Sequence, residues 1–438
     1  MRRFIFWIVS IFYPHIEIKG AEKLPQAGGY IVISNHPNGI LDPVPMMIQI
    51  GRPISFLAKS TLWGIPLINV FVKLFDAIPI YRHNDDGKWF GPKGDTTERN
   101  EASFKQASQH LRNGGILALF PEGTTHSNPQ LLPLKTGAAR IALLNEEACG
   151  WTGEIPIVPI GLWYEHKSRF RSSVLIVVGD PFTLEQYEPN YLRDERETVR
   201  LLTEKLDEKL DEVVLQAESQ EILRALPVIT RWFNQELDSL SSQHAQMESM
   251  LRAYTNLKQK DPNRLDNIVQ ALRNYDQTVR SLGKIDPWQP EIPSISWGQL
   301  VTRLFVLILI TPLAALGLLI TYLPYRLAGF IAKHAIMGDD TQLSLAKIVG
   351  SALFLIITWL TLSIWAFNQL GLTYGLVLFF IIPLLAFSTL FWFERIQSVA
   401  KQLSQMRWLG ARADVQAYIN NQRSQLAELI KNAVQEYA

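Results

Sequence analysis

Three apolar runs lie within residues 300–395: Leu304–Tyr325, Ile348–Phe367 and Leu372–Trp392. About 20 apolar residues in a helix cross a bilayer core roughly 30 Å thick, and each run is long enough. Basic residues gather before the second run (Arg326, Lys333, Lys347) and after the third (Arg395, Lys401, Arg407, Arg412), while the link Asn368–Gly371 is uncharged. The positive-inside rule puts both flanks of the last two runs in the cytoplasm, which makes 348–367 and 372–392 a transmembrane hairpin. Residues 396–438 then form a cytoplasmic helical tail.

The rest of the 438-residue chain differs in character. Formal net charge is +1, so no strong field attracts nucleic acid. With a single cysteine, Cys149, an intramolecular disulfide is excluded; this thiol reads as a small buried residue before a nucleophile. The start, Met1-Arg2-Arg3 followed by Phe4–Phe12, imitates a signal peptide but lacks a small-residue cleavage site. With Trp7 on it, residues 1–19 read as an interfacial membrane helix leading into a β-like His15–Ile18. A helix packed on its own domain is the alternative.

Residues 20–185 alternate strand and helix signals. Candidate strands are Tyr30–Ser34, Ile54–Ala58, Ala77–Ile80, Ile116–Phe120, Ile157–Leu162 and Val174–Val178. Helical spacing appears over Glu101–Arg112 and Thr136–Asn145. The fold class expected is α/β: a mixed sheet covered by helices, followed by a helical segment and the C-terminal transmembrane helices. Residues 186–290 place Leu and charged positions at helical spacing through Asp194–Glu218, Ile222–Gln243 and Met247–Tyr254. They read as amphipathic helices without a catalytic constellation.

Two loops carry chemistry. Asn35-His36-Pro37-Asn38-Gly39-Ile40-Leu41-Asp42-Pro43 follows the Tyr30–Ser34 strand, and Phe120-Pro121-Glu122-Gly123-Thr124-Thr125-His126 follows Ile116 onward. Open α/β sheets put active groups at such strand ends. A histidine is the side chain suited to act as a base near neutral pH, and a carboxylate on its other nitrogen fixes its tautomer. Pro37-Asn38-Gly39 favours a turn that folds Asp42 back toward His36. Asp42-Pro43 also reads as a helix N-cap with proline at N1, a compatible role.

Gly123 permits a tight turn whose N–H groups and the Thr124 and Thr125 hydroxyls suit an anion, and Glu122 suits a polyol hydroxyl. His126 reads as a turn or site-edge residue. Arg82, just past a strand, matches phosphate geometry, with Lys135 of similar status and Lys59 weaker. Val158 and Pro159 read either as the wall of an acyl groove or as core strand.

These blocks, in this order, resemble the glycerophospholipid acyltransferase superfamily: a histidine and aspartate (His36, Asp42), an arginine after a strand (Arg82), Phe-Pro-Glu-Gly-Thr (Phe120–Thr124) and a Val-Pro strand (Val158-Pro159). The resemblance covers about residues 20–180. The family's common pattern has four residues between His and Asp, and this chain has five. That spacing, His-x-Asn, and the run Thr125-His126-Ser127-Asn128-Pro129-Gln130-Leu131-Leu132-Pro133 are similar to the fungal-type glycerol-3-phosphate/dihydroxyacetone-phosphate acyltransferases.

The resemblance implies transfer of a fatty acyl group from acyl-CoA or an acyl carrier protein to glycerol 3-phosphate. Lysophosphatidate is the alternative acceptor, and a non-catalytic lipid-binding scaffold is the alternative of another class. His36 would be the base and Asp42 its orienter. Arg82, Glu122, Gly123, Thr124, Thr125 and Lys135 would hold the glycerol phosphate, with no metal or cofactor. The catalytic domain of this integral membrane protein is then expected on the cytoplasmic face. Only an even number of crossings suits that placement together with the basic flanks. Leu304–Tyr325, which carries Pro312, Gly317 and Pro324, is therefore expected to be re-entrant or interfacial, broken near Pro312.

Overall fold

The computed structural model describes residues 2–64, 66–81, 96–167, 171–233, 239–281, 297–335, 340–409 and 413–438. They fall into two compact units, Met1–Pro227 with Glu236–Leu251 and Val228–Gln235 with Arg252–Ala438. Arg82 lies outside the described residues.

The first unit is built on a seven-stranded sheet among the described residues: β1 (His15–Lys19), β2 (Tyr30–Ser34), β3 (Ile54–Lys59), β4 (Ile78–Ile80), β5 (Ile116–Leu119), β6 (Ile157–Tyr164) and β7 (Ser173–Val178). Their spatial order is β1-β7-β6-β2-β5-β3-β4. β6, β2, β5, β3 and β4 run parallel; β7 is antiparallel to β6, and β1 is parallel to β7. The sheet is mixed, as the sequence predicts. Tyr30-Ile31-Val32-Ile33-Ser34 is buried throughout because helices cover both faces, which is why the strand reads as an unbroken apolar run.

Helices of this unit are α1 (Arg2–Phe12), α2 (Pro43–Ile50), α3 (Pro66–Leu74), α4 (Thr96–Arg112), α5 (Gly137–Ala148), α6 (Glu188–Arg193) and α7 (Glu195–Asp211). The sequence reading ends the α/β domain at residue 185, and the structure carries it further. Val199, Leu202, Leu206 and Leu210 recur at three- and four-residue steps on α7 and are buried in the same core as Ile31, Leu117 and Ile157. α1 packs through Phe6 on Phe75, is tied by Arg2 to the Leu74 carbonyl and the Asp76 carboxylate (2.5 Å each), and leaves Trp7 60% exposed.

Beyond α7 come α8 (Gln220–Phe233), α9 (Leu240–Lys260) and α10 (Pro262–Ser281), so the predicted run Ile222–Gln243 is divided between two helices. Within the first unit, Glu17 of β1 accepts the Leu240 and Ser241 N–H groups (2.8 and 3.0 Å), which caps the start of α9.

The second unit holds α11 (Trp297–Ala335), α12 (Asp340–Leu370), α13 (Leu372–Leu409) and α14 (Ala413–Tyr437). Three stretches in it are long and apolar enough to cross a membrane: Leu300–Ile331, Gly350–Leu370 and Leu372–Gln397. Large apolar side chains such as Ile308, Leu319 and Phe380 stand more than two-thirds exposed, a surface suited to lipid. This part of the chain is membrane-associated.

Gly371, at φ +97°, is the single residue between α12 and α13 and makes the predicted hairpin turn. The expected break at Pro312 is absent: α11 runs through both Pro312 and Pro324. Proline is tolerated inside apolar helices that pack against neighbouring helices. Here α13 packs alongside, with the Thr389 hydroxyl donating to the Ala314 carbonyl (2.9 Å) and the Trp392 indole to the Thr311 hydroxyl (2.9 Å). α14 packs on α10 through Tyr275, Val279, Ile419 and Leu426.

Candidate active site

The sheet topology brings one set of loops together. β6, β2, β5, β3 and β4 end at the same edge, so the residues following them converge there. β7 and β1 run the other way, so the residues preceding those two strands reach that edge as well. β2 and β5 are neighbours, which sets the His36 loop beside the Phe120–Thr125 turn. Gly39, at φ +64°, is where the two loops touch: a Cβ there would stand 3.4 Å from the Thr125 hydroxyl oxygen.

His36 and Asp42 meet as predicted. Gly39–Leu41 forms a 3₁₀ turn, and the Asp42 N–H donates to the Gly39 carbonyl at 3.0 Å. The Asp42 carboxylate accepts from His36 Nδ1 at 2.9 Å; the aspartate side chain is fully buried and the histidine side chain 19% exposed. Asp42 precedes α2 but makes no side-chain cap bond to it. Pro43 and Pro45 remove two of the first-turn N–H groups that a cap would serve.

The carboxylate is committed elsewhere: Oδ2 also accepts the Asn38 N–H (2.9 Å), and Oδ1 accepts the Tyr164 hydroxyl (2.8 Å). His36 stacks on Phe120, with ring centroids 4.1 Å apart and planes at 23°. Among the described residues no group hydrogen-bonds its Nε2.

Glu122, buried after β5, ties three segments. It accepts the His36 N–H (3.2 Å), the Leu132 N–H (2.8 Å) and His126 Nε2, while His126 Nδ1 accepts the Asn128 N–H (3.1 Å). The sequence reading gives Glu122 a substrate hydroxyl; in the structure its carboxylate is occupied by protein donors and holds the His36 backbone in place. Gly123 turns at φ +70°, Thr124 is exposed and Thr125 half-buried. Lys135 is exposed, and its N–H donates to the Pro121 carbonyl (2.7 Å), which returns the chain to the turn just before α5.

β4 lies three strand spacings from β2, so its end is about 14 Å along the edge from the histidine strand. Asn100 clamps the Tyr81 backbone from both sides (2.9 Å each), which anchors the chain where it leaves for Arg82. Lys59 closes β3 at the same edge. Val158 and Pro159 pair with Val32 and Ile33 of β2 and are buried mid-strand, so they form sheet core beneath the loops.

Several contributors escape the sequence reading. Tyr164 lies two residues past the predicted strand end, in the alternation Val158, Ile160, Leu162, so extending period 2 points to it. Tyr13 gives no such signal: it reaches the site only because β1 pairs with β7. Its hydroxyl accepts from Asn38 Nδ2 (2.8 Å) and donates to the Lys167 carbonyl (2.5 Å). Lys167 Nζ in turn donates to the Pro37 carbonyl (2.9 Å) and the Ser127 hydroxyl (2.5 Å), spanning both loops. Burial pushes the Tyr13 hydroxyl up from its ordinary range, and burial beside Asp42 pushes Tyr164 well above it.

The stretch that carries the histidine, its buried carboxylate and the Phe-Pro-Glu-Gly-Thr turn lies within residues 15–163, which match the family model described as Acyltransferase. More particularly, the chain is similar to Glycerol-3-phosphate O-acyltransferase 2 of Saccharomyces cerevisiae, 27% identical over 266 residues, covering 59% of this chain and 35% of that protein. It is also similar to the Probable 1-acyl-sn-glycerol-3-phosphate acyltransferase of Mycoplasma pneumoniae, 29% identical over 168 residues, covering 36% of this chain and 53% of that protein. Among solved structures, the LPA acyltransferase PlsC from Thermotoga maritima matches 48% of this chain and 80% of its own, at 20% identity and a TM-score of 0.33. The chain spans less than half the length of the curated relatives it matches first.

Proposed function

We propose that this chain is a membrane-bound glycerolipid O-acyltransferase that moves a fatty acyl group from the thioester of acyl-CoA or an acyl carrier protein to the hydroxyl of glycerol 3-phosphate. The observation that carries the reading is the His36–Asp42 pair at 2.9 Å, with Nε2 open at the edge where the Phe120–Thr125 turn ends. Nε2 takes the proton of the acceptor hydroxyl, and the oxygen attacks the thioester carbonyl. The tetrahedral intermediate expels the thiolate, which takes that proton from the imidazolium. An ester and a free thiol leave, and no acyl-enzyme forms. Asp42 holds the ring and stabilises its charged form. Gly123, Thr124, Thr125, Lys135 and Arg82 supply the anion-binding groups for the glycerol phosphate, and Glu122 supports them through the His36 backbone.

The relatives are named for acyl transfer to glycerol 3-phosphate and to its 1-acyl product, so the acceptor is decided by assay. Purified protein in detergent is offered palmitoyl-CoA with each acceptor side by side. Faster ester formation on glycerol 3-phosphate is expected; preference for lysophosphatidate would reassign the acceptor. His36→Ala should lower the rate by about 10²- to 10⁴-fold, the span that a general base contributes. A variant that keeps full activity would remove His36 from the reaction. We further propose that the tail 396–438 faces the cytoplasm, a reading supported by the basic flanks of the last two apolar runs, and that the catalytic domain does too, which requires that α11 does not cross the bilayer.

A further inference from the structure

The second oxygen of Asp42 is the unexplained part of this site. Orienting His36 takes Oδ2 alone, yet Oδ1 is met by a phenol donated from β6, a strand on the other side of β2 from the Phe120–Thr125 turn. We infer that Tyr164 is a positioning residue that sets the basicity of His36 by sharing the charge of Asp42. This rests on the reading of His36 as the base and adds what tunes it.

The geometry separates Tyr164 from an ordinary packed tyrosine. Its hydroxyl oxygen lies 2.8 Å from Asp42 Oδ1, and the carboxylate it serves has no exposure to water. Its ring lies 5.5 Å from that of Tyr13, whose hydroxyl meets Asn38, the residue whose N–H donates to Asp42 Oδ2. Oδ1 is thus held by a group that belongs to no recognised motif block, and Tyr13 braces Oδ2 only through Asn38. The high position of the Tyr164 hydroxyl keeps it a donor throughout the working pH range.

The other ionisable groups around the pair are Glu122 and its partner His126, met through the His36 N–H, together with Lys167 on the Pro37 carbonyl and Tyr13 on Asn38. Lys167 has the Tyr13 hydroxyl on its own carbonyl, and the bonds given above for Glu122, His126 and Lys167 go to groups other than Tyr164.

The sign follows from which protonation state the phenol favours. Asp42 is anionic whether or not His36 carries the proton, and a phenol that shares the carboxylate's charge leaves less of it to stabilise the imidazolium. Without the hydroxyl, the pair takes up its proton at higher pH. Tyr164→Phe should therefore raise the midpoint of the acidic limb of kcat/KM by about one pH unit. Tyr164→3-fluorotyrosine keeps the shape and makes a stronger donor, so its midpoint should fall below that of the unchanged protein.

Both are compared in the full chain in detergent by two readouts. One is the pH profile of acyl transfer. The other is the pH dependence of carbethoxylation of His36 by diethyl pyrocarbonate, read by mass spectrometry of its peptide, which needs no turnover. Tyr13→Phe, which leaves the Tyr164 bond intact, should shift neither readout as far. Opposite shifts for the two Tyr164 variants support the assignment. Unchanged midpoints for both overturn it, and make Tyr164 a packing residue whatever the rate. Absence of acyl transfer with a shifted carbethoxylation midpoint would reject the proposed reaction and keep the tuning role.

Discussion

At the scale of single residues, the site is organised around two buried carboxylates with different duties. Asp42 is held by His36, Asn38 and Tyr164, and Glu122 by His36, His126 and Leu132. The first governs the imidazole ring and the second its backbone, so the ring is fixed from both ends. Neither carboxylate is left for a substrate hydroxyl, and phosphate recognition is proposed for the cations. Arg82→Ala should raise KM for the phosphorylated acceptor by roughly ten- to a hundredfold, the worth of one charge-assisted bond, with little change in KM for the acyl donor. Initial-rate measurements with each substrate varied in turn check this, and equal effects on both would remove Arg82 from the phosphate role.

The His36–Asp42 pair was legible because Pro37, Asn38 and Gly39 announce a turn in the local sequence. The contacts of Tyr13 and Lys167 were not, since they depend on a strand pairing between residues more than 150 positions apart. Glu122 was placed correctly at the end of its strand, but its partners come from a fold-back at Leu132 that no periodicity encodes.

At the scale of elements, strands were read closely because burial on both faces writes continuous apolar runs: Tyr30–Ser34 agrees at both ends, and Ile54–Ala58 and Val174–Val178 each gain one residue. Helix boundaries within 186–290 were less legible. α7 and its neighbours share the same mixture of Leu and charge, and only packing shows that α7 belongs to the sheet's core.

The break expected at Pro312 is absent for a similar reason: the local sequence marks the proline but not the packing of α13 against this part of α11. Gly317 is what admits that approach, because a Cβ there would run into the Leu385 carbonyl and the Thr389 hydroxyl. Gly317→Leu should destabilise the second unit by about 1–3 kcal/mol, whereas Gly329→Leu, where nothing lies within 4 Å, should not. Thermal unfolding of the two variants in detergent compares them directly.

At the scale of the whole molecule, the sidedness of the parts is the open quantity with the clearest assay. On a Cys149→Ser background, Asn113→Cys introduces an exposed thiol in the catalytic unit and Asn421→Cys one in the tail. Both are expected to react with a membrane-impermeant maleimide only after the cells are permeabilised. Labelling of the tail alone in intact cells would mean that α11 crosses the bilayer.

The antiparallel placement of β7 has a practical outcome for anyone trimming this protein. By sending β1 in against the direction of the central strands, it delivers Tyr13, the residue immediately after α1, to the hydroxyl–amide bond with Asn38. A truncation that discards the first 13 residues to gain solubility would therefore cut into the catalytic loop's own bracing. The exposed face of α1 is better altered by replacing Trp7 than by shortening the chain.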